Sequence, residues 1–136
     1  MGMVYTEVTL KNVGDIELVR RGYIKEAEVR ELTVTALVDT GAFSLCITED
    51  VFSKLGLDAV GQTIATVANG QSVVCKITAP VDVHWRDRST TVRATVVPGS
   101  EKILLGAIPL EGMDLTVSPK TQEVIGAHGD ETVFYI

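Results

Sequence analysis

Long apolar runs are missing from this 136-residue sequence. None approaches the roughly 18 residues that a membrane-spanning helix needs, and the opening MGMVYTEVTLKN has no charged stretch leading into an apolar one. Neither a span nor a secretory signal is expected, and the reading is of a soluble, cytoplasmic protein. Basic residues are scarce: twelve Lys and Arg stand against eighteen Asp and Glu, a net charge of −6. With no basic stripe to neutralise phosphates or to lie on an anionic bilayer, nucleic acid and membrane are not expected as partners. Cysteine is limited to Cys46 and Cys75, which without a secretory signal read as two buried thiols rather than a disulfide. The two histidines, His84 and His128, lie far apart with no acid or cysteine pattern nearby, and His84 in VDVHW reads as a strand residue with a satisfied hydrogen bond. HExxH, CxxC, GxxxxGK[ST] and GxGxxG are all absent. Metal, phosphate and serine-type chemistry therefore lack parts, and no metal and no cofactor is expected.

What the chain has in quantity is period-two alternation. VYTEVTL, ELTVTALVD, QTIATVA, SVVCKIT, VDVHW, TTVRATVV and DLTVSP are short, rich in Val, Thr and Ile, and bounded by turn residues, so the fold class is mainly β. With 46% hydrophobic residues and no linker or repeat, residues 1–136 read as one domain. Helical signals are few. Thr48 is placed to cap EDVFSK, with Glu49 and Asp50 in its first turn and Gly56 at its stop. Asp15 is read as the cap of IELVRR, KEAEVRE as a further turn, and a short helix is expected after Gly106 in AIPLEGM. Two hairpins are legible, one turning at Asn69-Gly70 and the other through Asp87 to Ser89.

One stretch does not fit a plain β domain. In TALVDTGAFSLCI an aspartate, Asp39, ends an apolar strand-like run, where burying a carboxylate is expensive unless something uses it. Asp-Thr-Gly after a strand is also an ordinary turn, with Asp capping and Gly at positive φ. The order of the surrounding segments argues for more. DTGAFSLCITEDVFSKLGL, TVANGQSVV, VDVHWRDRSTTVRATVV and ILLGAIPLEGM succeed one another between Leu32 and Ile125.

In that order, and in ALVDTGA itself, the chain resembles the retropepsin-like aspartic proteases, and within them the small bacterial type. The resemblance implies a closed antiparallel half-barrel with short helices, active as a twofold homodimer. It implies that Asp39 is catalytic, that Thr40, Gly41 and Ala42 support it, and that a flap tip at Ala68, Asn69 and Gly70 closes over a peptide or protein substrate. It places Ile103 to Gly106 behind the Asp39 loop as a support, and the terminal strands at the dimer seam. The chemistry agrees, since one carboxylate cannot both deprotonate water and protonate a carbonyl, whereas two sharing a proton can. The chain offers one such motif, so the second carboxylate must come from a second copy. Gly41 admits close approach of its N–H to the carboxylate, and Ala42 lacks the hydroxyl that a Ser would offer the outer oxygen. The flap tip is not the Gly-rich viral form, and the Asp15 to Glu31 insertion has no counterpart in a minimal retropepsin. A second reading, a weakly catalytic or non-catalytic dimer of the same fold that binds an extended peptide or partner protein, stays open.

Overall fold

A computed structural model describes residues 3–67 and 69–129 of the chain. Ala68 and the two chain ends, which carry part of the expected flap tip and seam, lie outside the described residues. Nine strands and three short α-helices are described: β1 (Tyr5–Asn12), α1 (Val13–Arg20), β2 (Glu31–Val38), β3 (Leu45–Ile47), α2 (Glu49–Lys54), β4 (Ala59–Thr66), β5 (Ser72–Trp85), β6 (Arg88–Val96), β7 (Leu104–Leu105), α3 (Ala107–Gly112), β8 (Leu115–Val117) and β9 (Val124–Gly126). A 3₁₀ turn at Glu26–Glu28 lies between α1 and β2. The fold class is mainly β, as the alternation predicts.

Seven strands form one sheet in the order β1-β2-β7-β3-β6-β5-β4, and β1 pairs again with β5, Leu10 opposite Val83. The ladder thus closes on itself and leaves β4 outside the ring. Alternate residues point inward: Val8, Leu10, Ala36, Leu45, Ile47, Val81, Val83, Ala94, Val96 and Leu105 are each at most 1% exposed. The purely antiparallel arrangement expected from the resemblance fails at two ladders, because β2 with β7 and β3 with β6 run parallel. The short β7 lies between β2 and β3, parallel to the first and antiparallel to the second, and β3 meets β6 on its other side.

Four local readings are corrected. SVVCKIT and VDVHW are not separate strands but one strand of 14 residues, which passes Ala79-Pro80 through a register shift between Ile77 and Pro80. The missing ladder partner of Ala94 N–H is supplied by the buried Thr78 hydroxyl oxygen at 3.0 Å, so Pro is accommodated without an orphan donor. Asp15 does not cap α1. Asn12 does, its Oδ1 accepting from Asp15 N at 3.0 Å, while the Asp15 carboxylate turns to Arg30. The second hairpin turns at Arg86-Asp87 rather than through Ser89, since Trp85 already pairs with Arg88 and Ser89 with His84. His84 is not satisfied: its buried Nε2 has no hydrogen-bond partner among the described residues, the Asp82 carboxylate lying 3.8 Å away and accepting from Thr91 instead.

The Thr48 cap is as read, with its Oγ1 accepting from Val51 N at 3.1 Å, and Gly56 closes α2 at φ 61°. Among the described residues no helix is long and apolar enough to cross a membrane.

Candidate active site

The apolar run of β2 ends at Val38, and Asp39 is the first residue past it. Here the chain makes a tight turn. Ala42 N–H donates to Asp39 O at 3.1 Å, and Gly41 N–H donates to the Asp39 carboxylate Oδ1 at 2.9 Å. One carboxylate oxygen is thereby pinned by its own loop. A Cβ on Gly41 would stand 3.2 Å from that oxygen, a tight approach, which is why the residue after Thr40 is the smallest available. Asp39 is half-buried, while Thr40 and Gly41 are exposed.

The loop is held from behind by β7 and the start of α3. Asp39 N–H donates to Leu105 O at 3.1 Å, and Leu37 N–H to Ile103 O at 2.8 Å. Beyond the turn, Ala107 N–H donates to Ala42 O and Ile108 N–H to Phe43 O, both at 2.8 Å. Gly106 lies at the crossing. A Cβ there would strike Ser44 O and would come within 2.7 Å of Ala42 O and 2.8 Å of the Phe43 carbonyl carbon. These are backbone atoms that cannot swing aside. The segment ILLG thus does for the Asp39 loop what the sequence resemblance implies, and Gly106 is the residue that permits it.

Across β3 and β6 lies a polar strip. Ser44 Oγ lies 3.0 Å from Thr95 Oγ1 and 3.8 Å from Cys46 Sγ. Burial pushes the Cys46 thiol up, the Ser44 hydroxyl opposes the rise, and the Asp39 carboxylate adds to it. Cys75, wholly buried, is likewise raised by its burial. Both cysteines are free thiols, though Cys46 is half-buried rather than buried. This strip escaped sequence reasoning. The signal for it was the alternation Ser44, Cys46 against Leu45, Ile47, which puts the first pair on the face away from the core.

The hairpin between β4 and β5 holds Asn69 and Gly70 at its tip. Gly70 N–H donates to Val67 O and Val67 N–H to Gln71 O, each at 2.9 Å, with Gly70 at φ 83°. Asn69 Oδ1 accepts from Gln71 N at 2.9 Å. Among the described residues no hydrogen bond joins Asn69 or Gly70 to the Asp39 loop, so the tip is tied only to itself. The structure therefore brings Asp39, Thr40, Gly41 and Ala42 together with Gly106, while no hydrogen bond among the described residues links Asn69 or Gly70 to them. No cluster of three or more His, Cys, Asp or Glu side chains is arranged to hold a metal among the described residues.

Comparison with known proteins agrees with this geometry. Residues 25–108, from the turn before β2 into the start of α3, match the family described as aspartyl protease. Among solved structures, the EIAV protease complexed with the inhibitor HBY-793 has a similar fold, with a TM-score of 0.58 at 20% sequence identity over 81% of this chain and 86% of that one. Comparison with curated proteins finds no match.

Proposed function

Because this chain belongs to the aspartyl protease family and has the retropepsin-like fold, we propose that it is a homodimeric endopeptidase in which Asp39 of each copy supplies half of the catalytic pair. The observation that carries the proposal is the surface position of Asp39. Its carboxylate is braced by Gly41 N–H and its backbone by β7, yet among the described residues no hydrogen bond joins it to a second carboxyl group within the chain. A catalytic carboxylate held this rigidly and left half complete is finished by a twofold axis.

At that axis the two carboxylates share one proton. The ionised one takes a proton from a bound water, whose oxygen attacks the scissile carbonyl carbon, while the protonated one gives its proton to the carbonyl oxygen. Collapse of the tetrahedral species passes a proton to the departing amine and restores the pair. Thr40 is exposed beside Asp39, where it can meet its counterpart across the axis. Ala42 contributes only a methyl group. Activity therefore follows a bell in pH, since one acid must be charged and the other not.

Surface composition supports the same assembly. Phe43, directly after the loop, is 81% exposed, and Ile108, which donates its N–H to Phe43 O, is 53% exposed. Two large apolar side chains beside an active carboxylate are costly in water and are the kind of surface a second copy covers. The hairpin tip at 68–70 acts as the lid over an extended peptide, which the strand edges below would hold by backbone hydrogen bonds.

The test is a peptide-library digest read by mass spectrometry, with wild type beside Asp39→Asn. Asn keeps the shape and removes the base, so cleavage by the variant should fall by at least about a thousandfold, within the usual worth of an acid–base group. Its circular dichroism should not change. Equal cleavage by the two proteins would sink the catalytic assignment. Retained peptide binding with no cleavage by wild type would favour the binding-module reading instead.

A further inference from the structure

The β4–β5 hairpin changes register in both of its strands at one level. β4 shifts between Ala59 and Gly61, β5 between Ile77 and Pro80, and the two breaks face each other, with Ala59 opposite Thr78 and Gly61 opposite Ile77. Bulges bend a strand and interrupt its ladder, so two at the same level mark a bend across the whole hairpin. Beyond them the ladder between β5 and β6 stops at Lys76, while β4 and β5 go on pairing from Thr63 with Cys75 to Thr66 with Ser72. Those four pairs have no third strand among the described residues, and a two-stranded ribbon alone is only marginally stable. Residues 63–66 and 72–75 therefore form an arm whose set depends on what holds its root.

At the root both strands are attached to α2. On β5, Lys76 Nζ lies 3.3 Å from Glu49 Oε2 and 4.9 Å from the centre of the Phe52 ring. On β4, residues 55–58 run directly from the end of α2 into the strand, and Ala79 N–H donates to Asp58 O at 2.8 Å. The helix end is in turn gripped by both ends of the insertion. Asn12 Nδ2 donates to Leu55 O at 2.8 Å, and the Arg30 guanidinium lies against Gly56, where a Cβ would fall 2.4 Å from its Cζ. Asp15 fixes that guanidinium through Nε and Nη2, which leaves Nη1 at Gly56. Such a two-point contact sets the plane as well as the position. Asn12 N–H donates to Arg30 O at 3.0 Å, so the two grips form one unit.

We infer that Arg30 is a positioning residue for the lid, and that through it the insertion between β1 and β2 governs how firmly the β4–β5 arm is held. The inference rests on the reading of this hairpin as the lid over the Asp39 site. Among the described residues the Arg30 side chain makes its hydrogen bonds to Asp15 and none to the arm or to the Asp39 loop, so it acts through Gly56 and α2. Gly56, at φ 61°, has the wide backbone freedom of a glycine, and the side chain laid over it restricts that freedom. With the guanidinium gone, the turn between α2 and β4 loosens and the arm opens more often. Contacts of the closed lid with an extended peptide are then lost, while the chemistry at Asp39 is not.

Hydrogen exchange read by mass spectrometry tests this on wild type, Arg30→Ala, Asp15→Asn and Leu115→Val. Arg30 is half exposed, so Arg30→Ala should keep the wild-type circular dichroism. Asp15→Asn keeps the guanidinium but removes the charge that orients it, and it decides the matter if Arg30→Ala does not fold. Leu115→Val thins the core at β8, outside α2, the insertion and the arm, and controls for global stability. In Arg30→Ala the amides of 63–66 and 72–75 should exchange at least about threefold faster, in the lower range for a lost coupling between packed segments. Asp15→Asn should move them in the same direction. In Leu115→Val the amides of Val81–Trp85 should speed up while the arm keeps its wild-type rates, because the arm opens locally. An arm at wild-type rates in both insertion variants, or one that speeds up equally in Leu115→Val, would overturn the proposal. With a cleaved peptide, Arg30→Ala should raise KM by the same factor and leave kcat unchanged, the mark of lost binding rather than lost chemistry; a fall in kcat at constant KM would overturn the lid role. Exchange needs no turnover and is readable in Asp39→Asn as well, so a failure of this coupling and a failure of the catalytic assignment are distinguishable.

Discussion

Gly106 shows how much of the Asp39 loop can depend on one missing methyl group. Its φ is −86°, an ordinary value, so conformational freedom is not what the position requires. Space is the requirement, since any Cβ would run into three backbone atoms of the loop from Ala42 to Ser44. Gly106→Ala should cost about 1–3 kcal/mol, the usual penalty of overpacking, read as a lower midpoint in urea unfolding. Because the strain is relieved by pushing the Asp39 loop outward, turnover should fall more than stability alone accounts for, and a fully active Gly106→Ala protein would contradict the buttress. Asp39, Thr40, Gly41 and Ala42 were legible as a motif because their chemistry is local: a carboxylate, a turn and a glycine in four residues. The Ser44, Cys46 and Thr95 strip was not, because its members meet only when β3 lies beside β6. The orphan nitrogen of His84 was likewise invisible, since nothing in VDVHW tells that Asp82 is already engaged by Thr91.

At the scale of elements, the insertion between β1 and β2 is tied down by one ion pair. The Asp15 carboxylate accepts from the Arg30 backbone N–H at 3.0 Å and from its guanidinium at 2.8 Å through each oxygen. The hydrogen bonds from the Arg30 side chain hold the Asp15 carboxyl below the ordinary aspartate value, outweighing the burial that pushes it up. A carboxylate lowered in the folded state contributes stability that is fully present above its unfolded value, about 4, and is lost as pH falls through the folded value. Asp15→Asn should therefore destabilise the protein by about 1 kcal/mol at neutral pH, toward the low end for a charged hydrogen bond because Arg30 is half exposed. The gap from wild type should close in melts taken below about pH 4. A gap that stayed constant across that range would mean that the pair does not anchor the insertion. The same carboxylate explains why Asp15 is not the cap of α1, a role that its position before IELVRR suggested. Asn12 took the role because its Nδ2 also reaches Leu55 O at 2.8 Å, linking the helix start to the end of α2. A cap is a local preference, and a partner 43 residues away decided between two candidates.

For the whole molecule, the proposed pairing of two Asp39 loops makes protein concentration the quantity to vary. If the site is completed across a twofold axis, specific activity should fall on dilution, approaching a second-order dependence on protein below the dissociation constant. Assays across a dilution series, alongside mass measurement by light scattering, check this, and constant specific activity in a species of monomer mass would refute the shared site. Much of the protein was decided by sequence alone. Alternation of Val, Thr and Ile determined the strands, Thr48 and Gly56 the limits of α2, and Asp39-Thr40-Gly41-Ala42 the turn that carries the proposed site, because each of these acts over a few residues through side-chain sterics or a nearby hydrogen bond. Tertiary structure alone decided that Leu104 and Leu105 enter between β2 and β3. It also decided that β1 closes on β5 and that, among the described residues, β4 ends the sheet. Two leucines carry no period from which a strand could be read. Which strand neighbours which depends on backbone hydrogen bonds between segments far apart in the chain, and every residue but proline offers the same N–H and C=O to such a bond.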